Sequence, residues 1–206
     1  MISIDLVLER SLASAFENSR ATDETCLRAC ILDYVGWFNE HVYIGLKSPK
    51  SELLLSLRDV LAWSTFMSQL QRDDKALHLW TSYIQGASLM HLDGLGLGTG
   101  LAREEADDIK SLAIQYLRRQ ISVAGDNLGP VMEISPSGPV KLCCSDQGRY
   151  GIYPFFINTG PYPGPSSLNL NLNAPTTSAN ILRVLRAMQL SKPILLEGSP
   201  GTGKTR

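Results

Sequence analysis

Residues 193–206 read PILLEGSPGTGKTR. Ile194, Leu195 and Leu196 form a short apolar run entered by Pro193 and closed by Gly198, the pattern of a buried parallel strand. Gly198-Ser199-Pro200-Gly201-Thr202-Gly203-Lys204-Thr205 then matches G-x-x-x-x-G-K-[ST] in full. Glycines at these places let successive backbone N–H groups converge on phosphate oxygens. Lys204 would stand at the β- and γ-phosphates of ATP, and Thr205 would offer its hydroxyl to Mg²⁺. The competing reading is a glycine turn without function, and the strand ahead of the loop favours the phosphate-binding one.

The 206 residues, 44% of them hydrophobic, suffice for one or two globular domains. A net charge of −1 gives no basic patch for nucleic acid and no polybasic segment for a membrane surface. No apolar run approaches the ~20 residues that cross a bilayer, and MISIDLVLER has an acid where a signal peptide is basic. An intracellular chain is expected. Cys26 and Cys30 are four apart and Cys143 and Cys144 adjacent, which suits neither zinc nor disulfide geometry, so buried reduced thiols are expected. His41, His78 and His91 are scattered and receive no chemical role.

Upstream of the loop the pattern is mainly helical. Ile4, Leu6, Leu8, Leu12 and Phe16 keep no clean period, but Leu27, Ile31, Tyr34 and Phe38 line one face of a helix over about Asp23–Glu40. Ser56 with Asp59 makes a capping box opening a second helix, whose inner stripe is Leu57, Val60, Leu61, Ser64, Met67 and Leu70, widened by Trp63 and Phe66. Lys75 to His91 continues the helical period. The run Gly94 to Gly100 does not fit G-x-G-x-x-G and follows no strand, so it reads as a linker. Glu104 to Ile121 is helical again, acidic at its start, with Arg118 and Arg119 near its end and Ile109, Leu112, Ala113, Tyr116 and Leu117 on its apolar face.

Eight of eleven prolines fall between Pro130 and Pro175, where helix cannot persist. Val140–Cys144 and Tyr150–Ile157 read as short strands, the second an edge strand because of Pro154. Leu168, Leu170 and Leu172 alternate with asparagines in an extended segment. Ala174 to Ser178 gives a stop and a cap, and a last helix then runs up to about Leu190, with Ile181, Val184, Leu185 and Met188 buried and Arg183 and Arg186 on its surface. The chain thus divides into a helical region, 1–121, a Pro/Gly-rich linker with short strands, 122–173, and a helix, strand and phosphate loop, 174–206. The fold class is mainly α with a small α/β piece at the C-terminal end.

The run from Ala174 to Thr205, APTTSANILRVLRAMQLSKPILLEGSPGTGKT, resembles the entry to one of the tandem ATPase modules of the midasin family, dynein-related AAA+ proteins of ribosome assembly. SLRDVLAW (56–63) and GASLMHLDG (86–94) resemble the helical lid closing the preceding module, and YGIYPFFINTG (150–160) the sheet element leading into the next. The resemblance implies the lid of one AAA+ module followed by the start of the next P-loop module. It also implies ATP and Mg²⁺ as ligands, with neighbouring modules of one ring, pre-60S ribosomal particles and assembly factors as partners. The setting it implies is the nucleolus and nucleoplasm of the nucleus. Arg58 matches the place where lids of this family carry an arginine directed at nucleotide phosphate; the residue-level alternative is pairing with a surface acid.

The sequence ends one residue after Thr205, whereas the family's Walker B acids, sensor residue and arginine finger lie downstream of that position. These residues alone are therefore expected not to hydrolyse ATP. A second reading is a non-catalytic helical interaction module, residues 22–121, with a vestigial phosphate loop. A small kinase or GTPase is disfavoured, because its loop would come near the N-terminus.

Overall fold

The computed structural model describes residues 21–45, 53–96, 101–124, 141–145, 148–160 and 174–196. The expectations for residues 1–20, for Leu168 to Leu172 and for the phosphate loop lie outside them. Helix α1, Ala21–Gly45, is longer than its periodic core, and the face formed by Leu27, Ile31, Tyr34 and Phe38 is buried. Helix α2, Leu57–Asp73, opens at Ser56, whose backbone N–H donates to Asp59 Oδ2 at 2.8 Å and whose hydroxyl reaches the same oxygen at 2.7 Å. That carboxylate satisfies a donor the first helical turn cannot and suits the positive end of the helix.

Helix α3, Leu79–Ala87, continues into a π-helical turn, Ser88–Leu92. Every residue from Trp80 to Ser88 is buried, so α3 is the central helix rather than a half-exposed one. It packs closely on α2: Trp63 Nε1 donates to the Tyr83 carbonyl at 2.9 Å, and a Cβ built on Gly86 would collide with Trp63 Cδ1. Only a glycine leaves room for the indole there. Helix α4, Arg103–Val123, buries Ala106, Ala113, Leu117 and Ile121, and Leu112, expected inside, is 53% exposed. Leu57, also expected inside, is the first residue of α2 and is 42% exposed, whereas Val60 is buried.

Two clusters divide the interior, and α2 serves both. Val60, Trp63 and Met67 face α1, α3 and α4, while Phe66 and Leu70 face Leu77, Phe155, Leu182 and Leu185. The second cluster is roofed by an antiparallel sheet of β1, Cys143–Cys144, β2, Arg149–Ile152, and β3, Phe155–Asn158, in the order β1-β2-β3. The single strand expected over Tyr150–Ile157 is instead a hairpin, Tyr150 opposite Ile157 and Ile152 opposite Phe155, turning at the cis Tyr153–Pro154 bond. Proline suits that turn because it has no N–H to contribute to a ladder.

Helix α5, Pro175–Ala187, begins with Pro175, which loses nothing in a first turn whose N–H groups lack helical partners. Its buried face is Ser178, Leu182, Leu185 and Arg186. Met188, expected inside, follows the helix and is 45% exposed, and Arg186, expected on the surface, is wholly buried. The fold is thus mainly helical with a small three-stranded antiparallel sheet. Among the described residues no helix is long and apolar enough to cross a membrane.

Candidate functional site

Gly198, Ser199, Pro200, Gly201, Thr202, Gly203, Lys204 and Thr205 lie outside the described residues. The chain leading to them is described as far as Leu196. Residues 193–196 form no strand, and Ile194, Leu195 and Leu196 are 40%, 80% and 55% exposed. The apolar run predicted to be a buried strand therefore has no sheet partner among the described residues. Three successive aliphatic side chains are thus exposed on this segment.

This segment emerges from a cleft of about 320 Å³ between the first turn of α2 and the stretch after α5. Leu89, Met90 and Leu190 supply apolar lining, and Arg58 and Lys192 bring two cations from opposite sides in sequence. Asp59, also at the cleft, is engaged with Ser56. The structure thus places Arg58 at the same cleft as Pro193 and Ile194. Lys192 was not singled out in the sequence, where it reads as part of a turn.

A second polar centre lies where the π turn ends. Arg186 donates through Nη1 to Asp93 Oδ2, and Arg183 Nε lies 3.5 Å from Asp93 Oδ1. The Arg186 guanidinium carbon also lies 5.7 Å from the centroid of the Phe155 ring, a cation–π distance. Burial lowers the Arg186 pKa, with the carboxylate of Asp93 opposing that shift. Arg186, expected on the helix surface, is instead enclosed at this pair. The signal available was spacing, since Arg186 stands four residues after Leu182 on the same face.

Hydrogen bonds fasten the other polar groups of the bundle. Asp33 Oδ2 accepts from Tyr116 Oη at 2.7 Å and Gln120 Nε2 at 2.9 Å, while Tyr83 Oη donates to Gln120 Oε1 at 2.6 Å. These residues tie α1, α3 and α4 together. His91 Nε2 is 2.6 Å from Tyr34 Oη, and burial pushes its pKa down to about 3, so the imidazole is neutral. Cys26, Cys30 and Cys143 are half-buried free thiols and Cys144 is exposed, a correction to the expectation that all four are buried. Burial, followed by neighbouring Cys26, raises the Cys30 thiol to about 12. Among the described residues no group of three or more His, Cys, Asp or Glu is arranged to hold a metal ion.

The architecture alone defines a helical bundle with a docked antiparallel hairpin sheet and a helix leading towards a phosphate-loop sequence. No protein-family model matches the chain, and no solved structure matches it. It is 38% identical over 169 residues to midasin of Dictyostelium discoideum, a match covering 78% of this chain and 3% of the relative. It is 31% identical over 162 residues to midasin of Giardia intestinalis, covering 73% of this chain and again 3% of the relative. The chain is a midasin-family sequence, spanning about 3% of the length of these curated relatives.

Proposed function

We propose that this chain is an ATP-binding segment of a midasin-like AAA+ ATPase that remodels pre-60S ribosomal particles in ribosome biogenesis. In this reading α1 to α4 belong to the lid of one module, and α5 with residues 193–206 opens the next. The observation that carries it is the complete G-x-x-x-x-G-K-T run, Gly198 to Thr205, in a chain with midasin relatives.

By residue type, the backbone amides of the glycine-rich run and the Lys204 ammonium would suit phosphate, and the hard hydroxyl oxygen of Thr205 would suit Mg²⁺. Bound Mg²⁺ would supply positive charge to the β- and γ-phosphate oxygens. Arg58, beside the chain leading into the loop, would add charge near the same ligand. The partners proposed are neighbouring AAA+ modules, pre-60S particles and their assembly factors, in the nucleolus and nucleoplasm.

Photo-crosslinking with an azido derivative of ATP, followed by peptide mapping, tests the reading. Label is expected on peptides adjoining residues 193–206, lost in Lys204→Ala and reduced when Mg²⁺ is chelated. Label confined to peptides of α1–α4 and indifferent to Lys204→Ala would favour the helical interaction module with a vestigial loop.

A further inference from the structure

Two thiols of α1 open into a single cleft. Cys26 and Cys30 stand four residues apart on the helix, a spacing that sets their Cβ atoms about 5–6 Å from each other on one face. Their side chains are in hydrogen-bonding contact, and both line a cleft of about 510 Å³ whose other walls include Asp33, Tyr116, Arg119 and Gln120. Both thiols are free and half-buried, which leaves them reachable yet partly sheltered from water. The backbone beneath them is fastened, because the Cys30 carbonyl accepts from Gln120 Nε2 at 2.9 Å and from Tyr83 Oη at 3.4 Å. Two ligands carried on so anchored a helix are preorganised.

The lining of the cleft selects what the thiols can hold. Asp33 is there too, but its Oδ2 already accepts from Tyr116 Oη and Gln120 Nε2. Two sulfurs with no third ligating group among the described residues do not make a tetrahedral zinc site. They match a soft monovalent ion with a filled d shell, which is satisfied by two thiolates in line. We propose that Cys26 and Cys30 form a two-coordinate Cu(I) site in the cleft between α1 and α4. Binding exchanges two thiol protons for one Cu(I), with two S–H bonds broken, two S–Cu bonds formed and no change of oxidation state. The resulting dithiolate complex carries one negative charge, and the Arg119 guanidinium on the same cleft offsets it. The site uses none of residues 193–206.

The 206-residue chain carrying Cys143→Ser and Cys144→Ser, reduced and kept free of oxygen, is titrated with Cu(I) against bicinchoninate, a coloured chelator of that ion. One Cu(I) per monomeric chain is expected, with protons released on binding and the helical circular dichroism retained. Adding Cys26→Ser or Cys30→Ser should weaken uptake by more than the roughly 10–100-fold that losing an outer partner of a metal ligand costs. Zn(II) in excess should leave the bound Cu(I) in place. No transfer of Cu(I) from the chelator, one ion shared by two chains in light scattering, displacement by Zn(II), or uptake unchanged by the substitutions overturns the proposal. Should Cys30→Ser unfold the chain, Cys26→Ser decides alone.

Discussion

Arg186 and Asp93, 93 residues apart in sequence, form an ion pair whose arginine side chain is wholly enclosed and whose aspartate side chain is 14% exposed. It joins α5 to the end of the π turn, and Phe155 covers the guanidinium. Around it Arg149 Nη2 meets Asp73 Oδ2 at 3.2 Å and Tyr153 Oη meets Asp74 Oδ2 at 3.2 Å. The hairpin and α5 are thus held to the helical bundle by polar contacts at the edges of the second apolar cluster.

Arg186→Met should destabilise the chain by about 3–5 kcal/mol, because it leaves Asp93 without its buried partner. The more exposed Arg183 is worth about 1 kcal/mol at most by the same logic. Urea unfolding of Arg186→Met and Arg183→Met, side by side, checks the ranking.

Gly86→Ala should cost about 1–3 kcal/mol, since its methyl would enter the space of the Trp63 indole. Gly36→Ala, within α1 and with nothing within 4 Å of the added Cβ, should stabilise by about 1 kcal/mol through helix propensity. Thermal unfolding of the two variants should move Tm in opposite directions.

His91 gives the fold an acid sensitivity. Its folded pKa, about 3, lies below the ordinary 6.5, so the unfolded chain takes up a proton that the folded chain refuses. This contribution is constant above about pH 6.5 and erodes as pH falls towards 3, by about 1.4 kcal/mol per pH unit. His91→Gln should remove that slope. Denaturation midpoints at pH 7, 6 and 5 check it, the expected difference between wild type and variant shrinking as pH falls.

Much of the helical architecture was legible because burial follows a helical period. Leu27, Ile31, Tyr34 and Phe38 recur at four, three and four residues, and all are buried. The Ser56–Asp59 cap is local chemistry and could be read from the two residues and their spacing. Periodicity gives the phase of a face but not how far along the helix the core reaches, which is why Leu57 and Leu112 were misplaced. Arg186 was misread because its counter-ion is remote in sequence. Tyr150–Ile157 looked continuous because β-formers lie on both sides of Pro154, whereas the chain reverses there. Of the candidate site, the approach through residues 193–196 was legible as an apolar run, but its lack of a paired strand among the described residues was not, since pairing depends on a partner rather than on the run itself.

The central claim is that the amides of Gly198 to Thr205 hold the phosphates of ATP. ¹H–¹⁵N spectra of the ¹⁵N-labelled 206-residue chain, titrated with Mg²⁺-ATP, test it at the atoms concerned. The account predicts that the amides of Gly201, Gly203, Lys204 and Thr205 move first, saturating in the millimolar range, and that Lys204→Ala weakens the response on the order of ten- to hundred-fold. Unmoved amides at these four residues up to about 10 mM ATP, or shifts identical in Lys204→Ala, would contradict it.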